Sequence, residues 1–242
     1  MTAALDQRTR AILARASTPA IANILLARGL RRTMMRDVAP LSANQLPMVG
    51  EAYTLRFIPS REDLDSMASY ARPENLHRRA IEECPESGVL VIDAQGSAAA
   101  SSMGDLMALR LHSRGAAGVV TDGGFRDTTG IRATGLPAFQ RANAGPATPV
   151  AFHAVALDEP IGCGGVAVYP GDVIVGDTEG VVVIPCHLAA AVAAAAADAE
   201  DYEVFASAEI RRGASILDVL PPTPATRERY EQWSAAGRPE LE

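Results

Sequence analysis

The chain has 242 residues, 48% hydrophobic and 21% charged, which is the composition of an ordinary globular protein rather than a disordered one. Its formal net charge of −7 and pI of about 5.2 argue against a nucleic-acid-binding surface, which needs clustered positive charge. All 22 basic residues are Arg. The lack of Lys excludes Schiff-base aldolases, pyridoxal enzymes and P-loop nucleotide binding, because each of these requires a lysine amine.

Three features bear on the compartment in which the protein works. Residues 1–16 carry charges every few positions without an apolar segment, so we expect a helix rather than a secretion signal. Residues 188–197 are apolar but too few to span a bilayer, and they read as a surface or interface helix. Cys84, Cys163 and Cys186 share no motif spacing, which favours a reduced environment. We therefore expect a cytoplasmic protein with no membrane partner.

The first predicted elements alternate between helix and strand. Thr18 and Pro19 have the residue types of a helix start, and Gly29 is placed to end that helix. Residues 50–58 alternate as a strand, and Pro73 opens a second helix. Residues 89–93, VLVID, then read as a buried strand.

The most informative stretch is residues 104–127. Apolar side chains recur at helical intervals from Met103 to Leu111, Gly115 is placed to end that helix, and residues 117–121 follow as a short buried strand. The helix and the returning strand have about the same length, so the chain comes back to its starting level. With residues 89–93 they form a strand–helix–strand unit, and a right-handed crossover would lay its two strands parallel and close together.

The remaining pattern completes the fold class. Asp127 begins a short helix that Gly135 and Pro137 end, and residues 160–185 contain three β-rich runs separated by turns, which predicts an antiparallel meander. We predict an α/β fold with βαβ units, a mixed sheet and this meander. The chain reads as one domain over residues 1–242, with a core at about 18–197. A helical, Pro-rich tail at about 198–242 carries Trp233 and could wrap a neighbouring subunit.

Two familiar kinds of site are not supported by the sequence. Residues 162–167 match the dinucleotide pattern GxGxxA by letter, but strands continue on its far side where a cofactor fingerprint would open a helix. A zinc cluster is unsupported because the histidines have no HxH or HExxH spacing, and we interpret most of them as surface or packing residues. The four histidines are His77, His112, His153 and His187.

Asp105, Arg126 and Asp127 form the candidate site. Each Asp precedes or opens a helix that follows a strand, and open α/β sheets bind ligands in that position. Either Asp alone could be a helix cap. Gly104, however, leaves free amides at a helix start, which is a carboxylate site, and Arg126 places a permanent cation beside an oxygen ligand. Gly123 and Gly124 would let a ligand approach the loop closely.

These residues resemble a known family, which includes the regulator of ribonuclease activity A and the 4-hydroxy-4-methyl-2-oxoglutarate aldolases (the RraA-like family). Aldolase members are marked by an Asp, twenty intervening residues and then Arg-Asp, and Asp105, Arg126 and Asp127 satisfy that pattern. Residues 115–127, 49–57 and 170–185 are also similar, so the likeness covers roughly residues 18–197. The long tail and residues 137–150 are similar to those of a longer subfamily.

The resemblance implies a swivelling-domain-like α/β fold assembled as a trimer or hexamer with active sites between subunits. By position, Asp127 would hold Mg²⁺ or Mn²⁺ largely through water, Arg126 would bind a 2-oxo acid and its enolate, and Asp105 would orient metal-bound water. The amides of four residues would hold the substrate carboxylate: Gly104, Asp105, Leu106 and Met107. Aldolase members often carry an acid three residues after the Arg-Asp aspartate, where this chain has Gly130.

The leading prediction is a divalent-metal-dependent lyase that cleaves a 4-hydroxy-2-oxo acid to pyruvate and also decarboxylates oxaloacetate, since both reactions pass through one enolate. Two alternatives remain open. One is a non-catalytic regulator that binds a ribonuclease through its acidic surface. The other is a sugar-acid dehydratase that uses the same metal site and differs only in product.

Overall fold

A computed structural model describes residues 5–239 of the chain. Its helices are α1 Gln7–Leu13, α2 Thr18–Ala27, α3 Met67–Tyr70, α4 Leu76–Glu83, α5 Asp105–Ser113, α6 Thr128–Thr134, α7 Ala189–Arg211, α8 Ile216–Val219 and α9 Pro224–Ala235. Its strands are β1 Ala39–Pro40, β2 Met48–Pro59, β3 Gly88–Asp93, β4 Ser101–Met103, β5 Gly118–Thr121, β6 Gly124–Phe125, β7 Ala138–Gln140, β8 Ala142–Asn143, β9 Phe152–Leu157, β10 Ile161–Cys163, β11 Val166–Val168, β12 Val173–Asp177 and β13 Gly180–Ile184. The predicted α/β class with a mixed sheet is confirmed.

The main sheet has the strand order β1-β7-β5-β3-β2-β12-β13, and β9 also pairs with β2. Strands β2, β3, β5 and β7 run parallel, as predicted for β3 and β5. Strand β1 pairs antiparallel with β7, β9 and β12 pair antiparallel with β2, and β13 pairs antiparallel with β12. Nearly every residue of β3 is buried, because helices α4 and α5 cover one face and the β10–β11 hairpin covers the other. Leu90 and Ile92 point to the first face, and Val89 and Val91 point to the second.

A smaller parallel sheet, β4-β6-β8, positions the candidate site. Along the chain, β4 follows β3, β6 follows β5 and β8 follows β7. The strands of the small sheet therefore lie in the same order as the strands of the main sheet that precede them. Met103 ends β4 instead of opening the helix, which differs from its place in the apolar helical pattern. Buried polar side chains hold this sheet: the Ser102 hydroxyl donates to the Gly124 carbonyl at 3.0 Å.

Residues 160–185 form two antiparallel hairpins in separate sheets. Strands β10 and β11 pair with each other, while β12 pairs with β13 and continues onto β2. The glycine pattern at residues 162–167 lies in the first hairpin, where Gly164 and Gly165 turn the chain with φ of 56° and 75°. The pattern therefore serves a β-turn and opens no helix.

Two predicted helix starts differ slightly from the observed ones. Helix α2 is capped by Ser17, whose side chain accepts from the Ala20 amide at 3.3 Å, so the cap is one residue earlier than Thr18. Helix α4 begins at Leu76 under an Asn75 cap, after Pro73. The side-chain oxygen of Ser or Asn accepts a hydrogen bond from a free amide of the first turn, which a Pro side chain cannot do, so these caps determine where each helix begins.

The alanine-rich segment is the first part of α7, whose Phe205 is buried against α9. The ring centroids of Phe205 and Trp233 lie 5.7 Å apart, and the Tyr230 ring packs against both, at 5.6 Å from Phe205 and 6.0 Å from Trp233. Helix α9 thus packs on α7 of the same chain, and the predicted contact of the tail with a neighbouring subunit stays a prediction. No helix within residues 5–239 is both long and apolar enough to cross a membrane.

Candidate active site

Pairing of β4 with β6 brings the predicted site residues together. The two strands are parallel with Met103 opposite Phe125, and the Arg126 amide donates to the Met103 carbonyl at 3.0 Å. Gly104 and Arg126 are therefore adjacent at the carboxyl ends of neighbouring parallel strands, each followed by a helix. This is the predicted relation of strand ends, but the strands are those of the small sheet and not β3 and β5 themselves.

Gly104 lies directly beneath the two charged side chains. It is the buried N-cap residue of α5, with extended backbone. A Cβ placed there would lie 3.0 Å from Arg126 Nε and 3.1 Å from Asp127 Oδ2, closer than side chains normally approach. The missing side chain lets the guanidinium and the carboxylate close over the amide end of α5. Cation, carboxylate and helix start thus meet in one place.

Asp127 is not used as a helix cap. It occupies the N-cap position of α6, yet within the described chain its side chain accepts no capping hydrogen bond. Instead its Oδ2 lies 3.3 Å from Arg126 Nε, and the two side chains remain 53% and 45% exposed. Its backbone is left-handed, with φ of 53° and ψ of 38°, an uncommon conformation for a residue other than Gly. Helix capping therefore does not explain this Asp, whose half-exposed carboxylate contacts Arg126 instead.

Asp105 differs from Asp127 in this respect. Its Oδ1 accepts a hydrogen bond from the Leu106 amide at 2.8 Å, so part of its carboxylate already satisfies the start of α5. Its side chain packs over Gly130 of α6: a Cβ on Gly130 would lie 2.7 Å from both Asp105 Cβ and Oδ2. An acid at position 130 cannot fit unless Asp105 moves. Gly130 and the orientation of Asp105 thus belong together.

Leu106 and Met107 complete the amide end of α5. Leu106 is 77% exposed, whereas Met107 is partly buried and packs against the core. Beside Met107 a groove of ≈ 320 Å³ opens between α4 and α5. Its other lining residues are Pro73, Arg78, Arg79, Ile81 and Glu82. Of the substrate-binding residues predicted from the sequence, Met107 lines this groove.

Gly123 and Gly124 were predicted to let a ligand approach the loop closely, but the structure shows a packing reason for glycine at both positions. Both are buried, and a Cβ on Gly123 would lie 2.5 Å from Ala94 Cβ. A Cβ on Gly124 would lie 2.6 Å from the Ala142 carbonyl oxygen. Gly123 therefore lets the chain pack against the segment after β3, and Gly124 lets it pack against β8.

Two residues near the site were not identified from the sequence, Tyr70 and His77. The Tyr70 hydroxyl lies 3.2 Å from His77 Nδ1 and 3.8 Å from Met107 Sδ. Burial lowers the pKa of His77 to about 4 and raises the pKa of Tyr70, so both side chains are neutral near pH 7. In the sequence, the helical spacing of His77 with Ala80, Ile81 and Cys84 could have predicted that His77 lies on the buried face of α4.

The described residues contain no group of three or more His, Cys, Asp or Glu side chains placed to hold a metal ion. The exposed Asp127 carboxylate is nevertheless a hard oxygen ligand, and Mg²⁺ commonly keeps several waters while one or two carboxylates and the substrate bind it. The residues present therefore fit a site of that sparse kind and not an all-protein cage.

Comparison with known proteins identifies the family. The family model RraA-like (Aldolase/RraA) matches residues 18–183, and the chain belongs to this family. A Halalkalibacterium halodurans protein named "Putative 4-hydroxy-4-methyl-2-oxoglutarate aldolase" is 38% identical over 107 residues, which is 44% of this chain and only 50% of that protein. An uncharacterized protein of Methanocaldococcus jannaschii is 29% identical over 77% of this chain and 84% of its own length.

Solved structures agree on the fold. Streptomyces coelicolor RraAS2, described as an unusual member of the RNase ES inhibitor RraA protein family, is 30% identical with a TM-score of 0.73, covering 88% of this chain and 99% of that chain. An uncharacterized protein from Pseudomonas syringae has a TM-score of 0.79 over 90% of this chain and 95% of its own, at 22% identity. The predicted RraA-like fold is thus confirmed.

Proposed function

We propose that this protein is a divalent-metal-dependent lyase that cleaves a 4-hydroxy-2-oxo acid by a retro-aldol step and releases pyruvate. The observation that carries the proposal is Asp127, a half-exposed carboxylate at a helix start that caps no amide of the described chain and lies against the Arg126 guanidinium. Membership in a family with an aldolase-named relative supports the reaction class. We expect oxaloacetate decarboxylation as a second activity, because it passes through the same enolate.

Arg126 and the amides of α5 would bind different groups of the substrate. The planar guanidinium of Arg126 offers two parallel donors to the 2-oxo acid and to the negative charge that its enolate develops. The amide end of α5, uncovered by Gly104, would bind the substrate carboxylate. Leu106 already donates its amide to Asp105 Oδ1, so the neighbouring amides are the ones available to the ligand.

Asp127 would hold Mg²⁺ or Mn²⁺ beside Arg126. When bound, the ion supplies Lewis-acid stabilisation of the enolate. The sequence contains no Lys, so no lysine iminium can take that role. The proton of the 4-hydroxyl needs an acceptor, and we propose a water oriented by Asp105, whose Oδ2 faces α6 over Gly130.

A coupled pyruvate assay tests the proposal with three variants. Asp127→Asn removes the charge that holds the ion, and Arg126→Lys removes the two-donor grip, so each should abolish turnover. Asp37→Asn is the matched control, because Asp37 also has left-handed backbone and pairs with an exposed Arg, Arg141, at 3.4 Å. It should keep wild-type turnover. Near-wild-type turnover by a folded Asp127 or Arg126 variant would remove that residue from the mechanism.

The nature of the electron sink is tested separately. Turnover should vanish with EDTA, return with Mg²⁺ or Mn²⁺, and be indifferent to borohydride added with substrate, because borohydride traps imines. Full activity of metal-free enzyme, or a borohydride-trapped substrate adduct seen by mass spectrometry, would contradict this part of the proposal.

A ribonuclease regulator is the second candidate, and the similarity to Streptomyces coelicolor RraAS2 favours it specifically. A regulator of this kind would bind a ribonuclease through the acidic surface that a net charge of −7 provides. It would form no pyruvate, and Asp127→Asn would not change its binding. The pyruvate assay and a ribonuclease-binding measurement on that one variant therefore distinguish the two functions.

We also propose that the protein assembles as a homotrimer or hexamer. Large apolar side chains stay exposed on the described chain, among them Leu106 at 77%, Leu217 at 80% and Leu220 at 67%. Contacts between subunits would cover these side chains. Sedimentation at micromolar concentration should show a trimer or hexamer, and a monomer would contradict both the assembly and a site shared between subunits.

A further inference from the structure

A groove of ≈ 460 Å³ lies where helix α2 ends, and three exposed arginines line it. These groove arginines are Arg31 and Arg32, which follow α2, and Arg36. Apolar side chains of α2 and of the segment after it also line the groove. They are Leu26, Leu30 and Met34. The residues of the candidate active site do not line this groove, so it is a separate feature of the molecule.

The groove arginines are unpaired within the described residues 5–239. None of their guanidiniums forms an ion pair or donates a side-chain hydrogen bond there. Asp37 is the acid next to them in the sequence, and its carboxylate pairs with Arg141 at 3.4 Å. Acidic residues outnumber basic ones by 29 to 22 in the chain, so carboxylates are not scarce. Three unpaired cations around one groove therefore leave their charge available to an external anion.

The end of α2 does not account for these arginines. Basic side chains after a helix often bind its last carbonyls. In α2 other groups already do so, because the Leu30 amide donates to the Leu25 carbonyl at 3.0 Å and the Arg28 guanidinium donates to the Ile24 carbonyl at 3.1 Å. Helix capping thus engages Arg28 and leaves the groove arginines for another role.

Arg36 is positioned by its neighbours before any ligand arrives. Its amide donates to the Gly164 carbonyl at 2.9 Å, and the Met35 amide donates to the Val181 carbonyl at 2.9 Å. Its guanidinium lies against Gly165, where a Cβ would be 3.0 Å from both Arg36 Cζ and Arg36 Nε. The turn between β10 and β11 therefore seats this guanidinium, which reduces the ordering that an anion must impose on binding.

We propose that this groove binds a small phosphate ester, with the phosphate on the groove arginines and an apolar body against Leu26, Leu30 and Met34. A guanidinium binds phosphate through two parallel donors. Phosphate carries about 1.5 to 2 negative charges near pH 7 and three acceptor oxygens, which suits three guanidiniums better than the single charge of a carboxylate. The groove has the volume of a small-molecule site, about 300–1,000 Å³. Binding here does not depend on the proposed lyase reaction.

Isothermal titration calorimetry with three probes tests the class of ligand. Hexyl phosphate should bind about tenfold or more tightly than inorganic phosphate, because burying two methylenes is worth about that factor. Hexanol, which has no charge, should show no binding. Leu26→Ser should narrow the difference between the two phosphates, since Leu26 is 53% exposed and supplies apolar surface. Hexyl phosphate that fails to bind, or equal affinities of the wild type for both phosphates, would overturn the proposal.

Variants of the arginines test the location. Arg36→Gln, and separately the double variant Arg31→Gln with Arg32→Gln, should each weaken hexyl phosphate binding by about tenfold or more. Arg15→Gln is the matched control, because Arg15 is also exposed and unpaired within residues 5–239 but lies outside the groove. It should bind as the wild type does, and so should Arg126→Gln, which disables the candidate active site.

Two results would contradict this location. Equal weakening in Arg15→Gln would show that only the overall charge matters. Loss of binding in Arg126→Gln, with wild-type binding in the groove variants, would place the phosphate in the candidate active site. Because the measured quantity is Kd, the outcome is independent of whether the protein releases pyruvate.

Discussion

Replacing Gly130 with Ala should disturb the contact between α5 and α6. A Cβ at position 130 would lie 2.7 Å from Asp105 Cβ and 2.7 Å from Asp105 Oδ2, so the helices must separate by several tenths of an ångström or Asp105 must turn. Ala gains up to about 1 kcal/mol over Gly in helix propensity. Overpacking of this kind costs about 1–3 kcal/mol. The free energy of unfolding should therefore fall by about 0–2 kcal/mol.

Activity should fall more steeply than stability, because misplacing a catalytic group by about 1 Å can cost about a hundredfold in rate. Urea unfolding followed by circular dichroism and the pyruvate assay measure the two effects. Gly162→Ala is the control, since within residues 5–239 nothing lies within 4 Å of a Cβ there. In an Asp105→Gly background the stability cost of Gly130→Ala should disappear. A Gly130→Ala protein as stable and as active as wild type would refute the packing argument.

Three further outcomes are expected. Burial lowers the pKa of His77 to about 4, so near pH 5 the unfolded chain binds a proton that the folded chain does not. The free energy of unfolding, measured by urea titration, should therefore fall by about 2 kcal/mol between pH 7 and pH 5, and it should fall less in His77→Gln. Phe205→Ala should release α9, seen as a red shift of Trp233 emission, and cost about 3 kcal/mol in local stability. Asp127→Gly should leave stability within about 1 kcal/mol of wild type, because left-handed backbone suits Gly, whereas removing the working cap in Asn75→Ala should cost about 1 kcal/mol.

The strand–helix–strand unit was predictable because its physics is local. Apolar spacing predicted α5, although Met103 of that pattern lies in β4 and Leu106 is 77% exposed. Gly115 follows the helix with φ of 77°, and the apolar residues 89–92 indicated a buried strand. The spacing of Asp105 from Arg126 then followed from element lengths. Each of these signals depends on residues close in the sequence.

The small sheet was not predictable in the same way. Its strands have two or three residues, too few for a period, and β4 contributes the polar Ser101 and Ser102 to a buried position. Their burial depends on hydrogen bonds to distant partners, such as Ser102 with Gly124. The exact meeting of Gly104 and Arg126 is set by that sheet, so the sequence predicted which residues meet but not how.

Asp105 and Asp127 show how similar sequence positions acquire different roles. Both lie at a helix start after a strand, where an acid normally satisfies free amides. Asp105 does so through Leu106, and Gly130 shapes the space around it. Asp127 does not, and it keeps a left-handed backbone that would suit Gly better. We propose that a ligand accounts for a carboxylate kept at such a position without a capping bond, and the contact with Arg126 at 3.3 Å favours a ligand that needs both a cation and an oxygen donor.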